Sequence, residues 1–344
     1  MKSILLTSTA IVAFAGAAAA DGHATANGIV LTGEASAEYN TETGYSTAVE
    51  MTATATANLD NGLVASASIT FDPTASGDDQ VTAGSISLSS DNASLTFGTG
   101  MDAAVFTAVG DDYDIGQIAE EELDGIIGTY SMGETTLYVS TAISEGGTES
   151  DLLEVGVTTS AGGWDLAFGA TGEGEFAATA EGTVGGADLN FGFASNDEWD
   201  VGVAYTVGAV TASASTDEAD AWTVGLAYDG GAYNAGFEYN ADESWEVTAG
   251  YAAGGITVDA EYTSAEVLTL GATYDVGSGL TVGAGMINDS VADSTISYAF
   301  ADYDLGNGAS AYIDYTDAAA ELEEVGPSER DIAAGTTVGV SFTF

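Results

Sequence analysis

The chain has 344 residues, 45% of them hydrophobic, and it carries 54 acidic side chains against two basic ones, for a formal net charge of −52. This shortage of cations excludes nucleic acid as a partner, because the chain has nothing with which to neutralise phosphates. The hydrophobic content is too high for a disordered acidic protein. The chain has no cysteine, which excludes disulfides and thiol chemistry.

The N-terminus has the pattern of a secretory signal peptide. A positive residue, Lys2, precedes short apolar runs and an alanine-rich cleavage site that ends at Ala20. The apolar stretch is short for a membrane-spanning helix. We therefore predict that residues 1–20 are removed and that residues 21–344 form a single domain; an uncleaved anchor is the alternative.

The rest of the chain alternates apolar and small polar residues, which predicts β-strands. No later segment has enough consecutive apolar residues for a spanning helix. If the protein lies in a membrane, it must be a closed barrel, because only closure satisfies the backbone without helices. The tally of alternating segments is about 22, and merging of adjacent segments leaves an even number between about 16 and 22.

Residues 99–125 interrupt this alternation between the fifth and sixth predicted strands. A loop of this length inside a regular array is uncommon and usually functional. If it lines a pore, its carboxylates form a negative constriction that favours cations. An ordinary solvated surface loop is the alternative. The candidate constriction residues are Asp111, Asp112, Asp114, Glu120, Glu121, Glu122 and Asp124.

A hairpin repeat with a 23-residue period follows, and it opens with Trp199, Trp222 and Trp245. Tight glycine turns alternate with acidic connections, as the two rims of an outer-membrane barrel would. Each tryptophan and the tyrosine six residues later are separated by about 20 Å, near the spacing of two aromatic girdles. A soluble β-sandwich or solenoid is the alternative. The candidate girdle residues are Trp199, Trp222, Trp245, Tyr205, Tyr228, Tyr251 and Tyr274.

The last segment, residues 336–344, is apolar on one face and small and polar on the other. Phe342 and the terminal Phe344 lie on the apolar face. The segment resembles the closing strand of bacterial outer-membrane barrels. The resemblance implies that its terminal aromatics are an assembly signal read by the barrel-assembly machinery.

Together these pieces resemble the alphaproteobacterial, Rhodobacter-type porins of the general-diffusion class. The matching features are the signal peptide, the strand at 95–98, the acidic segment 99–125, the strand at 125–131 and the terminal Phe344. The resemblance implies a closed antiparallel transmembrane β-barrel in the outer membrane of a Gram-negative bacterium, surrounded by lipid and lipopolysaccharide. It also implies a third loop folded into the pore and a homotrimer of 16-stranded barrels.

One departure from that family concerns charge. Family pores oppose the acidic loop with a cluster of arginines, and here Arg330 is the only basic side chain after residue 20. We therefore expect no basic residue to be available for the pore wall and no transverse field from opposed charges.

We predict a water-filled, cation-preferring porin for passive diffusion of ions and small hydrophilic solutes. An acidic secreted β-repeat adhesin or lattice protein is the alternative, and an outer-membrane enzyme is a third class. The only histidine, His23, follows the cleavage site, and serine has no base to partner it, so we predict no enzyme activity.

No cofactor is required. Calcium at acidic loops is a further expectation, although residues 112–116 match an EF-hand loop only loosely.

Overall fold

The computed structural model describes residues 25–59, 62–74, 81–110, 123–143, 153–328 and 330–344. Within these ranges the chain forms strands and one short helix, α1 (Ala104–Val109). No helix in this part of the chain has the length and hydrophobicity needed to cross a bilayer. The predicted signal peptide, residues 1–20, lies outside the described residues.

The strands before the hairpin repeat are β1 (Thr25–Asn40), β2 (Gly44–Asn58), β3 (Val64–Phe71), β4 (Val81–Ser89), β5 (Ala93–Met101), β6 (Leu123–Met132), β7 (Thr135–Ala142), β8 (Leu153–Ala161), β9 (Trp164–Thr171), β10 (Phe176–Val184) and β11 (Ala187–Ala194). The remaining strands are β12 (Trp199–Val207), β13 (Val210–Asp217), β14 (Trp222–Asp229), β15 (Tyr233–Asn240), β16 (Trp245–Ala253), β17 (Ile256–Thr263), β18 (Val267–Gly277), β19 (Leu280–Asp289), β20 (Ser294–Gly306), β21 (Ala309–Thr316), β22 (Leu322–Val325), β23 (Arg330–Ile332) and β24 (Gly335–Thr343).

All strands except β22 and β23 belong to one 22-stranded antiparallel sheet. The sheet closes on itself because β1 pairs with β24, from Glu34 opposite Thr343 to Asn40 opposite Thr337. The prediction of a closed antiparallel β-barrel with an even number of strands is confirmed, at the upper end of the predicted range. The long segment after β5 does join the fifth and sixth strands, as predicted.

The chain divides into two compact units, neither of which is one continuous segment. Unit 1 comprises residues 1–33, 49–182 and 191–199, and unit 2 comprises residues 34–48, 183–190 and 200–344. In unit 1, α1 packs against β7, β8 and β9. In unit 2, β22 and β23 form a small separate hairpin inserted between β21 and β24.

The 23-residue repeat extends to the backbone conformation of the turns. Asp197, Asp220, Glu243 and Glu266 occupy the same position in successive acidic connections, and all four have positive φ, between 59° and 72°. In each of these turns the N–H of this residue donates to the carbonyl three positions earlier, as from Glu243 to Asn240 at 3.0 Å. Each repeat therefore ends its hairpin with the same left-handed turn residue.

Candidate functional site

The barrel strands present two unlike faces. One face, here called the apolar face, carries exposed large apolar side chains; in β14 these are the alternate residues from Trp222 to Tyr228. The opposite face, here called the polar face, carries mostly small and hydroxylated residues that bond across strands, such as Ser66 to Ser87 at 2.7 Å and Ser94 to Thr129 at 2.7 Å. An exposed apolar face opposite a polar one matches a strand between lipid and water.

The predicted girdle residues lie in two rows on the apolar face. Trp199, Trp222 and Trp245 each begin a strand, and Tyr205, Tyr228, Tyr251 and Tyr274 lie toward the opposite strand ends. The antiparallel register adds three tyrosines that the 23-residue repeat does not indicate. The added contacts are Trp222 with Tyr239 at 5.6 Å, Trp245 with Tyr262 at 5.6 Å, and Tyr251 with Tyr233 at 4.9 Å between ring centroids. The alternation of apolar residues within β15 and β17 places these three tyrosines on the same face.

Helix α1 is bound to the polar face by its first backbone N–H groups. The N–H of Ala104 donates to Ser140 Oγ of β7 at 2.8 Å, and the N–H of Val105 donates to Glu154 Oε2 of β8 at 3.0 Å. Ser140 and Glu154 are 1% and 0% exposed. These wall side chains supply partners for N–H groups that a helix leaves unpaired at its start.

The wall beneath α1 is made flat by glycine. A Cβ at Gly156 of β8 would run into the carbonyl oxygen of Ala104 and lie 2.7 Å from the Cβ of Ala108. A Cβ at Gly169 of β9 would lie 2.8 Å from Val105 Cγ1. Both glycines are buried. Helix α1 can approach the wall this closely only because glycine has no side chain.

Most of the predicted constriction residues lie outside the described part of the chain: Asp111, Asp112, Asp114, Glu120, Glu121 and Glu122. Asp124 is described, is exposed, and belongs to β6 rather than to the loop. Alternation along β6 places it in the row of Ile126 and Tyr130, which lie on the apolar face. Its role at a constriction stays a prediction.

The polar face of unit 2 carries carboxylates directly opposite one another. Glu238 of β15 pairs in register with Glu246 of β16, and Glu261 of β17 lies opposite Thr248, beside Glu246. Asp200 of β12 likewise pairs with Asp217 of β13. Like charges opposite one another weaken a sheet, and the polar face accommodates them without any basic neighbour in these three strand pairs.

The sequence-based expectation that no basic residue reaches the wall is wrong in one respect. Arg330 of β23 packs on the polar face of β20 and β21, where its Nη1 lies 2.9 Å from Asp302 Oδ2 and its Nη2 lies 2.8 Å from Asp314 Oδ1. Two carboxylates thus surround one guanidinium. The pairing joins residues distant in sequence, so no local pattern could have indicated it.

Within the described ranges, no group of three or more acidic or histidine side chains is arranged to hold a metal ion. Residues 112–116, the loosely calcium-like sequence, lie outside these ranges. Calcium at the acidic loops therefore stays a prediction.

The model of a family described as Gram-negative porin matches residues 7–321 of this chain. No curated protein matches the sequence significantly. Similar solved structures include in-vitro folded OmpT, an outer membrane protein of Vibrio cholerae, in its trimer form, with 13% identity and a TM-score of 0.35 over 92% of this chain and 99% of that chain. A triple mutant of the Rhodopseudomonas blastica porin is 15% identical, with a TM-score of 0.32 over 92% of this chain and all of the other. At these TM-scores the likeness carries no argument, and the family match stands alone.

Proposed function

Since the chain belongs to the Gram-negative porin family and is an outer-membrane porin, we propose that it forms a water-filled channel with a preference for cations. Family and fold point to a channel rather than an enzyme. The observation that carries the cation preference is the set of opposed carboxylates on the polar face, with Glu238 in register with Glu246. Rings or rows of carboxylates attract cations and repel anions.

The balance of charge supports the same preference. After the predicted signal peptide the chain has a single basic side chain, and both aspartates that contact it are on the wall. After residue 20 no other lysine or arginine is present to offset the remaining carboxylates. The resulting negative field raises the local concentration of cations. Exposed charges are screened beyond about 8 Å at physiological salt and about 3 Å at 1 M, so the preference should fade in concentrated salt.

The test is single-channel recording of the refolded protein in planar bilayers, with the reversal potential measured across a KCl gradient. We expect ohmic steps, a reversal potential of cation-selective sign, and a smaller preference in the variant Glu246→Gln. Asp242→Asn is the matched control, since it removes one charge from the adjoining β15–β16 turn, outside the strands. Hydrogen bonds from the side chain and backbone of Ser244 lower the pKa of Asp242, so the wild-type control residue is charged.

An equal effect of both variants would assign the selectivity to overall charge rather than to the wall carboxylates. Anion preference, or none at low salt, would contradict the cation assignment while leaving the porin. Folded, inserted protein without conductance would favour the non-channel surface protein.

We also propose that the segment after β5 narrows this channel. The support is the attachment of α1 to the polar face through Ser140 and Glu154. The acidic residues that follow α1 would then lie near the path of permeating ions. Their combined replacement by amides should lower cation preference more than Glu246→Gln does.

Three further parts of the proposal rest on the signal-peptide pattern, the family resemblance and the clustered loop carboxylates, respectively. We propose cleavage before Asp21, which N-terminal sequencing of the outer-membrane form tests. We propose a homotrimer, which cross-linking and unheated gel migration test. We propose weak calcium binding at acidic loops, for which the measurement is a shift in thermal unfolding on addition of calcium but not of an equal ionic strength of NaCl.

A further inference from the structure

The hairpin β22–β23 lies in the segment between β21 and β24, and it does not extend away from the barrel wall. Val325 and Ile332 of the hairpin are 5% and 0% exposed. They form one apolar cluster with Tyr298 and Phe300, two residues on the polar face of β20. This segment is therefore packed against the wall that its own neighbouring strands provide.

The wall is shaped to receive this hairpin. Gly283 and Gly285 of β19 lie opposite Phe300 and Tyr298, and a Cβ at either glycine would run into the facing ring. The rings thus lie flat over the glycines. A Cβ at Gly271 of β18 would lie 2.7 Å from the Cα of Gly326, at the hairpin turn. Side chains at these glycines would prevent the hairpin from reaching the wall.

Arg330 is the polar anchor of the hairpin. Its Nη1 donates to both carboxylate oxygens of Asp302, at 3.0 and 2.9 Å, and its Nη2 forms an ion pair with Asp314. The guanidinium carbon also lies 5.0 Å from the ring centroid of Phe300 and 5.6 Å from that of Tyr312. Such a site pairs two guanidinium nitrogens with two different carboxylates and adds cation–π contact, which suits arginine and not lysine.

The charge of this anchor is held in place by its surroundings. Burial lowers the pKa of Arg330, but the hydrogen bond and charge of Asp314 outweigh burial and leave the pKa raised. The guanidinium is therefore charged at neutral pH. Tyr312 in turn donates to Glu38 Oε2 of β1 at 2.9 Å, which orients the ring beneath Arg330.

We propose that hairpin β22–β23 is a second fixed constriction of the channel, and that Arg330 is the positioning residue that holds it on the wall. The inference rests on the proposed channel function and adds a second selectivity element to it. Glu321 and Glu323 are exposed on this segment, so they add carboxylates to the proposed constriction. The single cation of the mature chain is used to place acidic groups, and its own charge is cancelled by two aspartates.

The test combines single-channel conductance with thiol labelling. Because the chain has no cysteine, only an introduced cysteine can react with the thiol reagent. Val325→Cys places a thiol where the side chain is 5% exposed, and Val291→Cys places one in a turn where it is 74% exposed. Each is combined with native Arg330, Arg330→Gln or Arg330→Lys. Reaction with a charged thiol reagent is measured on folded protein, identified by its heat-modifiable migration on gels.

With Arg330 intact, we expect position 325 to be protected and position 291 to react. With Arg330→Gln, position 325 should react at nearly the rate of position 291, and single-channel conductance should rise. Cation preference should also change, because Asp302 and Asp314 lose their counter-charge while the hairpin carboxylates move away. Arg330→Lys keeps the charge but loses the fork and the stacking, so it should resemble Arg330→Gln in labelling.

Continued protection of position 325 in folded Arg330→Gln would overturn the anchoring role. Release of position 325 with unchanged conductance would overturn the constriction. A wild-type protein that forms no channel would overturn the proposed function and the constriction with it. In that case the labelling of position 325 still tests whether Arg330 anchors the hairpin. Failure of the channel function is therefore distinguishable from failure of the anchoring role.

Discussion

Replacement of Gly156 by valine tests whether α1 is held on the channel wall. A first side-chain carbon at this position would lie 2.7 Å from the Cβ of Ala108. Carbon atoms pack at about 3.5 to 4.0 Å, so α1 must retreat by roughly 1 Å even before the two methyl groups of valine are added. The bonds from Ala104 N–H to Ser140 at 2.8 Å and from Val105 N–H to Glu154 at 3.0 Å are then stretched beyond their useful range.

The magnitude follows from the bonds that are lost. Each of these hydrogen bonds contributes about 1 kcal/mol. Their loss, about 2 kcal/mol together, reduces the docked population of α1 about thirtyfold, since a tenfold change corresponds to about 1.4 kcal/mol. The strand ladder of β8 is unaffected, and valine suits a strand. We therefore expect a folded barrel with a larger single-channel conductance.

Gly128→Val in β6 is the matched control. The nearest atoms to a Cβ at Gly128 are 3.8 Å away, among them Leu95 Cδ1, so the same substitution meets ordinary contacts. Docking is read separately from conductance by thiol labelling of Val105→Cys, whose native side chain is 1% exposed. If Gly156→Val leaves position 105 protected and the conductance as in the wild type, then the docking deduced from the wall glycines is wrong.

Three smaller changes test other contacts. Ser140→Ala removes the partner of the buried Ala104 N–H and should weaken α1 docking by about 1 kcal/mol, seen as faster labelling at position 105. Trp222→Ala removes the ring contact with Tyr239 at 5.6 Å, a loss of about 0.5 to 1.5 kcal/mol beyond buried area, and should lower the thermal midpoint in detergent. Deletion of Phe344 should reduce the amount of barrel in the outer membrane but not the yield of refolding in detergent. The measurement compares the yield of folded barrel from cells with the yield from refolding in vitro.

Sequence alone was sufficient for the parts of the fold that depend on local periodicity. Alternation and the 23-residue period predicted strands that begin at Trp199, Trp222 and Trp245, and the structure begins β12, β14 and β16 there. Closure was predicted from the need to pair every backbone group, and the pairing of β1 with β24 confirms it. These features repeat along the chain, so one strand informs the next.

The segments packed on the polar face were not predictable in the same way. Glu154 reads in sequence as one more polar wall residue, yet it lies beneath α1 and accepts the Val105 N–H. Arg330 reads as an isolated loop cation, yet it meets Asp302 and Asp314. Each contact joins segments with no shared period, so the pattern of either segment by itself contains no sign of its partner.

The polar face is built of small residues both where it is uncovered and where a segment is docked on it. Where the wall is uncovered, hydroxyl groups bond across strands, as Thr52 does with Thr70 at 2.8 Å. Glycines lie beneath both docked segments: Gly156 lies beneath α1 in unit 1, and Gly271 lies beneath the β22–β23 turn in unit 2.

Small residues on the polar face therefore fall into two kinds with different consequences for function. Serine and threonine keep a wall wetted and satisfy one another, whereas glycine allows a backbone to approach the wall closely. A glycine on the polar face is therefore a docking site only where another segment packs over it, as at Gly156 and Gly271, whereas the buried Gly202 faces the Asn190 side chain of the neighbouring strand. For this chain we propose that the two docked segments control permeation and that uncovered carboxylates such as Glu238 and Glu246 favour the entry of cations.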